Sequence, residues 1–204
     1  MNKELYYSEQ TLENMARRII KEYDSSLLTD NPRAIPIEDI MESKFNLFIE
    51  FQYIRKNGRI LGETVFEDDY VPIYDMEKGK YIWIFVKRGT IIIDASLLRC
   101  RIAGRLRFTC AHEFAHWLIH QKLYTDSGEV ASMTKVAKKS SDDNKNIERQ
   151  ADFLGSSLLL PHGQVKMAFY RLRGSTKDII TELAQKFDVS KQAMEIHLKT
   201  SNLI

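Results

Sequence analysis

Apolar residues in the first part of the chain recur at the spacing of an amphipathic helix. Between about Ser8 and Tyr23 they fall mostly three or four residues apart, at Leu12, Met15, Ile19, Ile20 and Tyr23, which predicts a helix with one buried face. The next segment, DSSLLTDNP, is rich in turn-forming residues and predicts its end. In IPIEDIMESKFNLFIEF, Pro36 suits a helix start and residues 46–51 alternate between apolar and polar. We therefore expect a second helix leading into a strand.

Residues 55–96 have the composition of β-strands. They are rich in β-branched and aromatic side chains and are divided by the turn-forming segments KNG, EKGK and KRGT, which predicts a small antiparallel sheet. YIWIFV and TIIID are the clearest strands. Two interpretations of TIIIDASL stay open at this point: an unpaired edge that accepts an extended peptide, or an ordinary buried strand.

The remainder of the chain predicts helices around one polar stretch. RFTCAHEFAHWLIH reads as a helix, and the polar residues 125–146 that follow predict a long exposed loop, with a short helix inside it as an alternative. ERQADFLGSSLLLP predicts a helix that ends near Pro161, and a helical tail runs from Val165 to the end.

Composition and charge narrow the class of protein. The chain has 204 residues, of which 44% are hydrophobic and 28% charged, as expected for a globular protein with one sizeable core. A net charge of +2 does not favour a general polyanion-binding surface. Two cysteines, Cys100 and Cys110, do not describe a disulfide framework, and the charged N-terminal segment has no apolar run. We expect a reducing, cytoplasmic location.

Three of the five histidines lie in RFTCAHEFAHWLIH. His112 and His116 are four residues apart, which on a helix places them about 6 Å apart along the axis and on one face. Both imidazoles can therefore bind one zinc ion and leave its other positions open. Glu113 projects beside them, where its carboxylate can accept a proton from water. The alternative is a buried apolar helix that carries core histidines.

A peptidase zinc site needs a third protein ligand. His120 lies about 12 Å along the helix from His112, too far to join the same tetrahedron, so we expect it to pack in the core or to face the substrate, with packing favoured. Glu148 in NIERQADFLG is the better candidate. Asp152 follows one turn later on the same face, where a carboxylate can hold the distal N–H of a ligand histidine. A solvated helix face is the alternative for both carboxylates.

RFTCAHEFAHWLIH, ERQADFLGSSLLLP and IPIEDIMESKFNLFIEF together resemble the ImmA/IrrE family of bacterial metallo-endopeptidases, which are gluzincin-like. The resemblance runs from about Pro36 onward, and its two core segments agree in order and spacing. It implies that His112, His116 and Glu148 bind zinc, that Glu113 is the general base, and that Asp152 supports a ligand histidine. It also implies a cytoplasmic regulatory protease whose protein substrate is a helix-turn-helix transcriptional repressor.

The C-terminal segment LAQKFDVSKQAMEIHL has the spacing of a helix-turn-helix. Lys191 and Lys199 are offset by Glu195 and the segment has no Arg, so packing or protein contact is favoured over DNA binding. We therefore predict an α+β protein with a zincin-like domain over residues 1–164 and a helix-turn-helix-like tail over residues 165–204. The chain is predicted to be a zinc endopeptidase, with a catalytically silent DNA-binding or scaffolding regulator as the alternative. Tyr124, His120 and His162 are the candidates for stabilising the oxyanion.

Overall fold

The computed structural model describes residues 6–99, 104–125, 141–175 and 178–204. The strands form two small sheets and are β1 (Phe48–Gln52), β2 (Gly62–Thr64), β3 (Asp69–Asp75), β4 (Lys80–Val86) and β5 (Thr90–Asp94). The helices are α1 (Glu9–Tyr23), α2 (Ile37–Asp39), α3 (Arg105–Ile119), α4 (Gln121–Thr125), α5 (Ser141–Leu159), α6 (His162–Leu172), α7 (Ile179–Phe187) and α8 (Lys191–Thr200). Short 3-10 turns cover Ser25–Leu28 and Ala95–Arg99, and α2 continues as a π-helical turn over Ile40–Lys44. The protein is a mixed α+β fold, as predicted.

Helix α1 begins and ends where the sequence indicates. The Ser8 side chain accepts a hydrogen bond from the backbone N–H of Thr11 and so caps the first turn. Leu12, Ala16 and Ile20 are buried on one face. This face packs against α5 and joins the main hydrophobic core.

The predicted antiparallel sheet is correct only in part. β3 and β4 form an antiparallel hairpin, but β5 is the central strand of a separate three-stranded sheet with the order β1, β5, β2. It pairs in parallel with β1 and antiparallel with β2. The interpretation of TIIIDASL as an unpaired edge is therefore wrong. The open alternative, a buried strand, is correct: every residue of β5 is buried, as expected for a strand covered on both faces.

The two faces of the three-stranded sheet carry different layers. Ile91 and Ile93 of β5 belong to the core that contains α3, α5 and α1. Ile92, which points to the opposite face, packs with the inner side of the β3–β4 hairpin. Helix α3 and the hairpin therefore lie on opposite sides of this sheet.

Helix α5, which carries Glu148 and Asp152, begins earlier than predicted. The sequence predicts a loop as far as Asn146, with a short helix inside it as the alternative, whereas the structure has helix from Ser141 onward. The expected loop residues 126–140 lie outside the described part of the chain. Glu148 is consequently two turns inside α5 rather than at its start, and the helix ends close to the predicted Pro161.

The C-terminal tail consists of three helices that share the main core. Leu183, Phe187 and Met194 are buried in the same cluster as residues of α1 and α3. The turn between α7 and α8 abuts Gly104, where a Cβ atom would lie 2.5 Å from Val189 Cα. The predicted boundary after residue 164 falls inside α6, and the division into two units stays a prediction. Within the described residues, no helix is long and apolar enough to cross a membrane.

Candidate metal centre

The structure brings His112, His116 and Glu148 together. One nitrogen of each histidine and a carboxylate oxygen of Glu148 lie within 4.8 Å of one another. Nε2 of His112 is 3.0 Å from Nε2 of His116 and 3.3 Å from Oε2 of Glu148, and Nε2 of His116 is 3.6 Å from Oε1 of Glu148. Ligands at about 2.0–2.1 Å from a tetrahedral ion are roughly 3.3 Å apart. The spacing and the two-nitrogen, one-oxygen donor set therefore fit zinc.

Two further side chains hold the ligand histidines. Oδ1 of Asp152 is 2.9 Å from Nδ1 of His112, so the Nδ1–H donates to Asp152 and Nε2 of His112 faces the cluster. Nδ1 of the fully buried His120 is 2.9 Å from Nδ1 of His116. His120 packs inside the protein, beside a ligand and on the side away from Glu148.

The electrostatics of the cluster favour a positive charge at its centre. Burial alone would lower the pKa of His112, but its hydrogen bonds with Asp152 and Glu148 and the charge of Glu113 raise that pKa to about 10. Burial would raise the pKa of Glu148, yet its hydrogen bonds with His112 and His116 hold it well below its usual range. A proton or a metal cation between these groups satisfies all of them.

Replacing Asp152 by Ala is expected to weaken zinc binding by about 10- to 100-fold, because His112 loses the acceptor that fixes its ring and tautomer. Competition with a chromophoric zinc chelator measures this affinity. Asp152→Asn keeps an oxygen acceptor at the same place and is the matched control, for which a smaller loss is expected. Equal affinity of wild type and Asp152→Ala would remove Asp152 from the site.

A glycine sets the distance between the two site helices. A Cβ atom at Gly155 of α5 would lie 3.1 Å from the backbone of Ala111 and His112 in α3. Since Glu148, Asp152 and Gly155 are four and three residues apart, they share one face of α5, and the close approach at Gly155 carries the two carboxylates to the histidines. Sequence reasoning missed this residue, although an isolated glycine inside a helical pattern is a known sign of close packing.

Glu113 is held by strand β2. The Thr64 hydroxyl donates a hydrogen bond to Oε2 of Glu113 at 2.8 Å and also lies 2.9 Å from the Glu113 backbone carbonyl. On the same face of β2, a Cβ atom at Gly62 would lie 2.6 Å from Cγ and Oε1 of Glu113. Between them in the sequence, Glu63 is buried, and burial raises its pKa. No motif in the sequence links these three residues to Glu113.

Gly62→Ala is expected to displace the Glu113 carboxylate, since the new methyl group occupies its space. For the peptide hydrolysis that the sequence leads us to expect, we predict loss of most of the rate with zinc content unchanged, and a cost of about 1–3 kcal/mol in the free energy of unfolding. Gly163→Ala is the matched control, because among the described residues no atom beyond the neighbouring backbone of its own helix lies within 4 Å of the added Cβ there. Peptidase assays and thermal melts on both variants test this, and full activity in Gly62→Ala would contradict it.

A cavity of about 450 Å³ opens beside the cluster. It lies between the segment leading into β2 and helix α3, and its lining includes Arg59, Gly62, His112, Glu113 and Glu148. The predicted general base and two predicted ligands thus face one space. Arg59 is a cation at this cavity that sequence reasoning did not single out.

The structure locates two of the three candidates for stabilising an oxyanion. His120 is fully buried behind His116. His162 lies at the start of α6, with Nδ1 3.3 Å from the Ser201 hydroxyl. Neither is among the residues that line the cavity. The side chain of Tyr124 lies outside the described part of the structure.

A comparison with protein-family models decides the relationship. The model of peptidase family M78, described as the IrrE N-terminal-like domain, matches residues 80–199, more than half of the chain. The chain belongs to this family. No curated protein matches it. The matched region contains α3 and α5, so all of the clustered side chains lie within the M78 domain, and the family supports a zinc metallopeptidase-like fold.

Proposed function

We propose that this M78 protein is a zinc-dependent endopeptidase that hydrolyses peptide bonds in a cytoplasmic protein. The observation that carries the proposal is the convergence of His112, His116 and Glu148 on one point beside a cavity that Glu113 also faces. Two nitrogen donors and one carboxylate leave a fourth position open for substrate or water, the arrangement of catalytic rather than structural zinc sites.

Each residue of the site has a distinct role in this proposal. When bound, zinc supplies Lewis-acid polarisation of a peptide carbonyl and lowers the pKa of water. Glu113 accepts the proton of the attacking water and returns it to the leaving amine. Thr64 orients the Glu113 carboxylate towards the cavity, and Asp152 keeps the His112 ring in position. His116, fully buried, is fixed by its contact with His120.

Strand β2 supports an extended substrate. It is an edge of the three-stranded sheet, with β5 on one side, and its residues Gly62 and Glu63 line the cavity. An extended peptide can add to such an edge through main-chain hydrogen bonds. A peptide added to this edge would have a peptide bond next to Glu113.

The substrate class that we propose is a helix-turn-helix transcriptional repressor, as the family resemblance implies.

The charges of α8 support a protein partner over DNA. Lys191 is paired with Asp178 at 3.7 Å and Lys199 with Glu195 at 2.6 Å, so both cations of this helix have acidic neighbours. A helix that reads DNA presents unpaired Lys and Arg to the phosphates.

Incubation of the protein with a purified helix-turn-helix repressor from the same organism, with and without a zinc chelator, tests the proposal. We expect defined fragments by mass spectrometry, lost on chelation and restored by added zinc. Parallel incubation with a synthetic peptide library separates the substrate class from the activity. Cleavage of the library but not of repressors would overturn the proposed substrate class and leave the proposed peptidase activity standing. Zinc-independent, sequence-selective duplex binding without any cleavage would favour a DNA-binding regulator.

A further inference from the structure

The outer face of the β3–β4 hairpin carries a row of six side chains, five of them aromatic and one a proline. The cross-strand pairs are Tyr70 with Phe85, Pro72 with Trp83, and Tyr74 with Tyr81, and we call these six residues the aromatic ladder. Alternate residues such as Val71 and Ile73 point the other way and are buried against the sheet. The hairpin therefore has one apolar face in the core and a second apolar face directed to solvent.

The ladder is unusually exposed for its composition. Tyr70 is 60% exposed, Trp83 67%, Phe85 53% and Tyr81 48%. Aromatic side chains present about 150–250 Å² each, so these four expose roughly 500 Å², at the upper end of the largest apolar patch on a typical monomer. A standard interface buries about 800 Å² on each partner. The exposed area of the ladder is therefore enough for the apolar centre of such an interface. The residues around the ladder would supply the remaining buried area.

The order of the pairs allows a second copy of the ladder to meet the first one pair by pair. A Pro72–Trp83 pair lies in the middle, and an aromatic pair in edge-to-face contact lies on each side, with ring centroids 5.5 Å apart for Tyr70–Phe85 and 5.3 Å for Tyr74–Tyr81. A two-fold axis through the middle pair places Tyr70 over Tyr74 of a second copy. It also places Phe85 over Tyr81 of that copy and Trp83 over itself. Such reciprocal contacts define an isologous interface.

The charges around the ladder agree with a second copy as the partner. None of its six side chains is charged, so two ladders meet without repulsion, and the whole chain carries only +2. Polar groups lie at one end: Nζ of Lys56 is 5.9 Å from the Tyr74 ring centroid, and the Tyr81 hydroxyl accepts a hydrogen bond from the Lys56 backbone N–H. A charge-free centre with a polar rim is the anatomy of protein interfaces.

We propose that the aromatic ladder is a homodimer interface, in which two copies pack hairpin to hairpin about a two-fold axis through the Pro72–Trp83 pair. The hairpin and α3 lie on opposite sides of the three-stranded sheet. The dimer therefore leaves the cavity beside the metal cluster accessible in each copy. The proposal does not rest on the proposed peptidase activity.

Sedimentation velocity of the full chain over a range of concentrations up to about 100 μM tests the dimer. We expect a species of twice the 23.8 kDa chain mass that dissociates on dilution. Tyr70→Ser and Trp83→Ser are expected to be monomers with unchanged far-UV circular dichroism. Tyr170→Ser is the matched control and stays dimeric, because Tyr170 is 55% exposed and its ring centroid is also 5.5 Å from that of a neighbouring phenylalanine, Phe169.

Tryptophan fluorescence locates the interface independently of mass. The emission of the wild type is expected to shift to longer wavelength on dilution as Trp83 becomes solvated, whereas Trp83→Phe stays dimeric and loses this shift. A wild type that is monomeric at about 100 μM, or ladder variants that dimerise like the wild type, would overturn the proposal. Binding of a monomeric wild type to phosphatidylglycerol vesicles would instead assign the ladder to a membrane surface.

Discussion

Glu113→Gln is expected to lose about 10²- to 10⁴-fold in the rate of peptide hydrolysis, the usual contribution of a general base. Glutamine preserves the size of the side chain and can still accept the Thr64 hydrogen bond, which is 2.8 Å long in the native protein. It cannot accept the proton of the attacking water. Single-turnover cleavage of the peptide library, read by mass spectrometry, measures the loss.

The zinc content of Glu113→Gln is the internal control for this prediction. Since Glu113 is not one of the three clustered donors, the variant is expected to hold as much zinc as the wild type. Wild-type turnover in a zinc-loaded Glu113→Gln protein would remove Glu113 from the chemistry. Loss of zinc together with activity would instead make Glu113 part of the binding site.

Metal removal is expected to lower the thermal stability of the protein substantially. His116 is fully buried and its Nε2 faces that of His112 at 3.0 Å, so without a cation these acceptors rely on protons alone. Free zinc at 100 to 1,000 times its dissociation constant stabilises the folded state by about 3–4 kcal/mol. For a chain of 204 residues this corresponds to a melting temperature about 6–16 °C higher. Calorimetry before and after dialysis against chelator measures the difference.

His116→Ala separates bound zinc from unspecific effects of the chelator. This variant is expected to melt at the same temperature with and without chelator, because it lacks a ligand. A chelator-dependent shift of equal size in His116→Ala and wild type would place the stabilising metal elsewhere.

The local half of the site could be predicted from the sequence. His112, Glu113 and His116 lie on one helix, whose fixed rise and turn determine their relative positions. The spacing of Asp152 from Glu148 is local for the same reason, as both lie on α5. What the sequence could not supply was the approach of α5 to α3, which depends on tertiary packing at Gly155.

The sheet was harder to predict because strand pairing is not local. The run TIIID indicated a strand but not its neighbours, and its partner β1 lies 42 residues earlier, since Phe48 pairs with Thr90. Because the predicted single antiparallel sheet gave β5 the wrong neighbours, it did not include β2. This three-residue strand positions Glu113 and forms the edge beside the cavity. Its residues Gly62 and Thr64 acquire their role only through contact with a helix some fifty positions later.

Metal analysis of the purified protein shows whether His112, His116 and Glu148 form one zinc site. We predict about one zinc ion per chain in the wild type, loss of stoichiometric zinc in Glu148→Ala, and full retention in Glu182→Ala, which removes an exposed glutamate from α7. Full zinc retention in Glu148→Ala, or a wild type that binds no zinc when it is supplied, would rule out a zinc site made of these three residues.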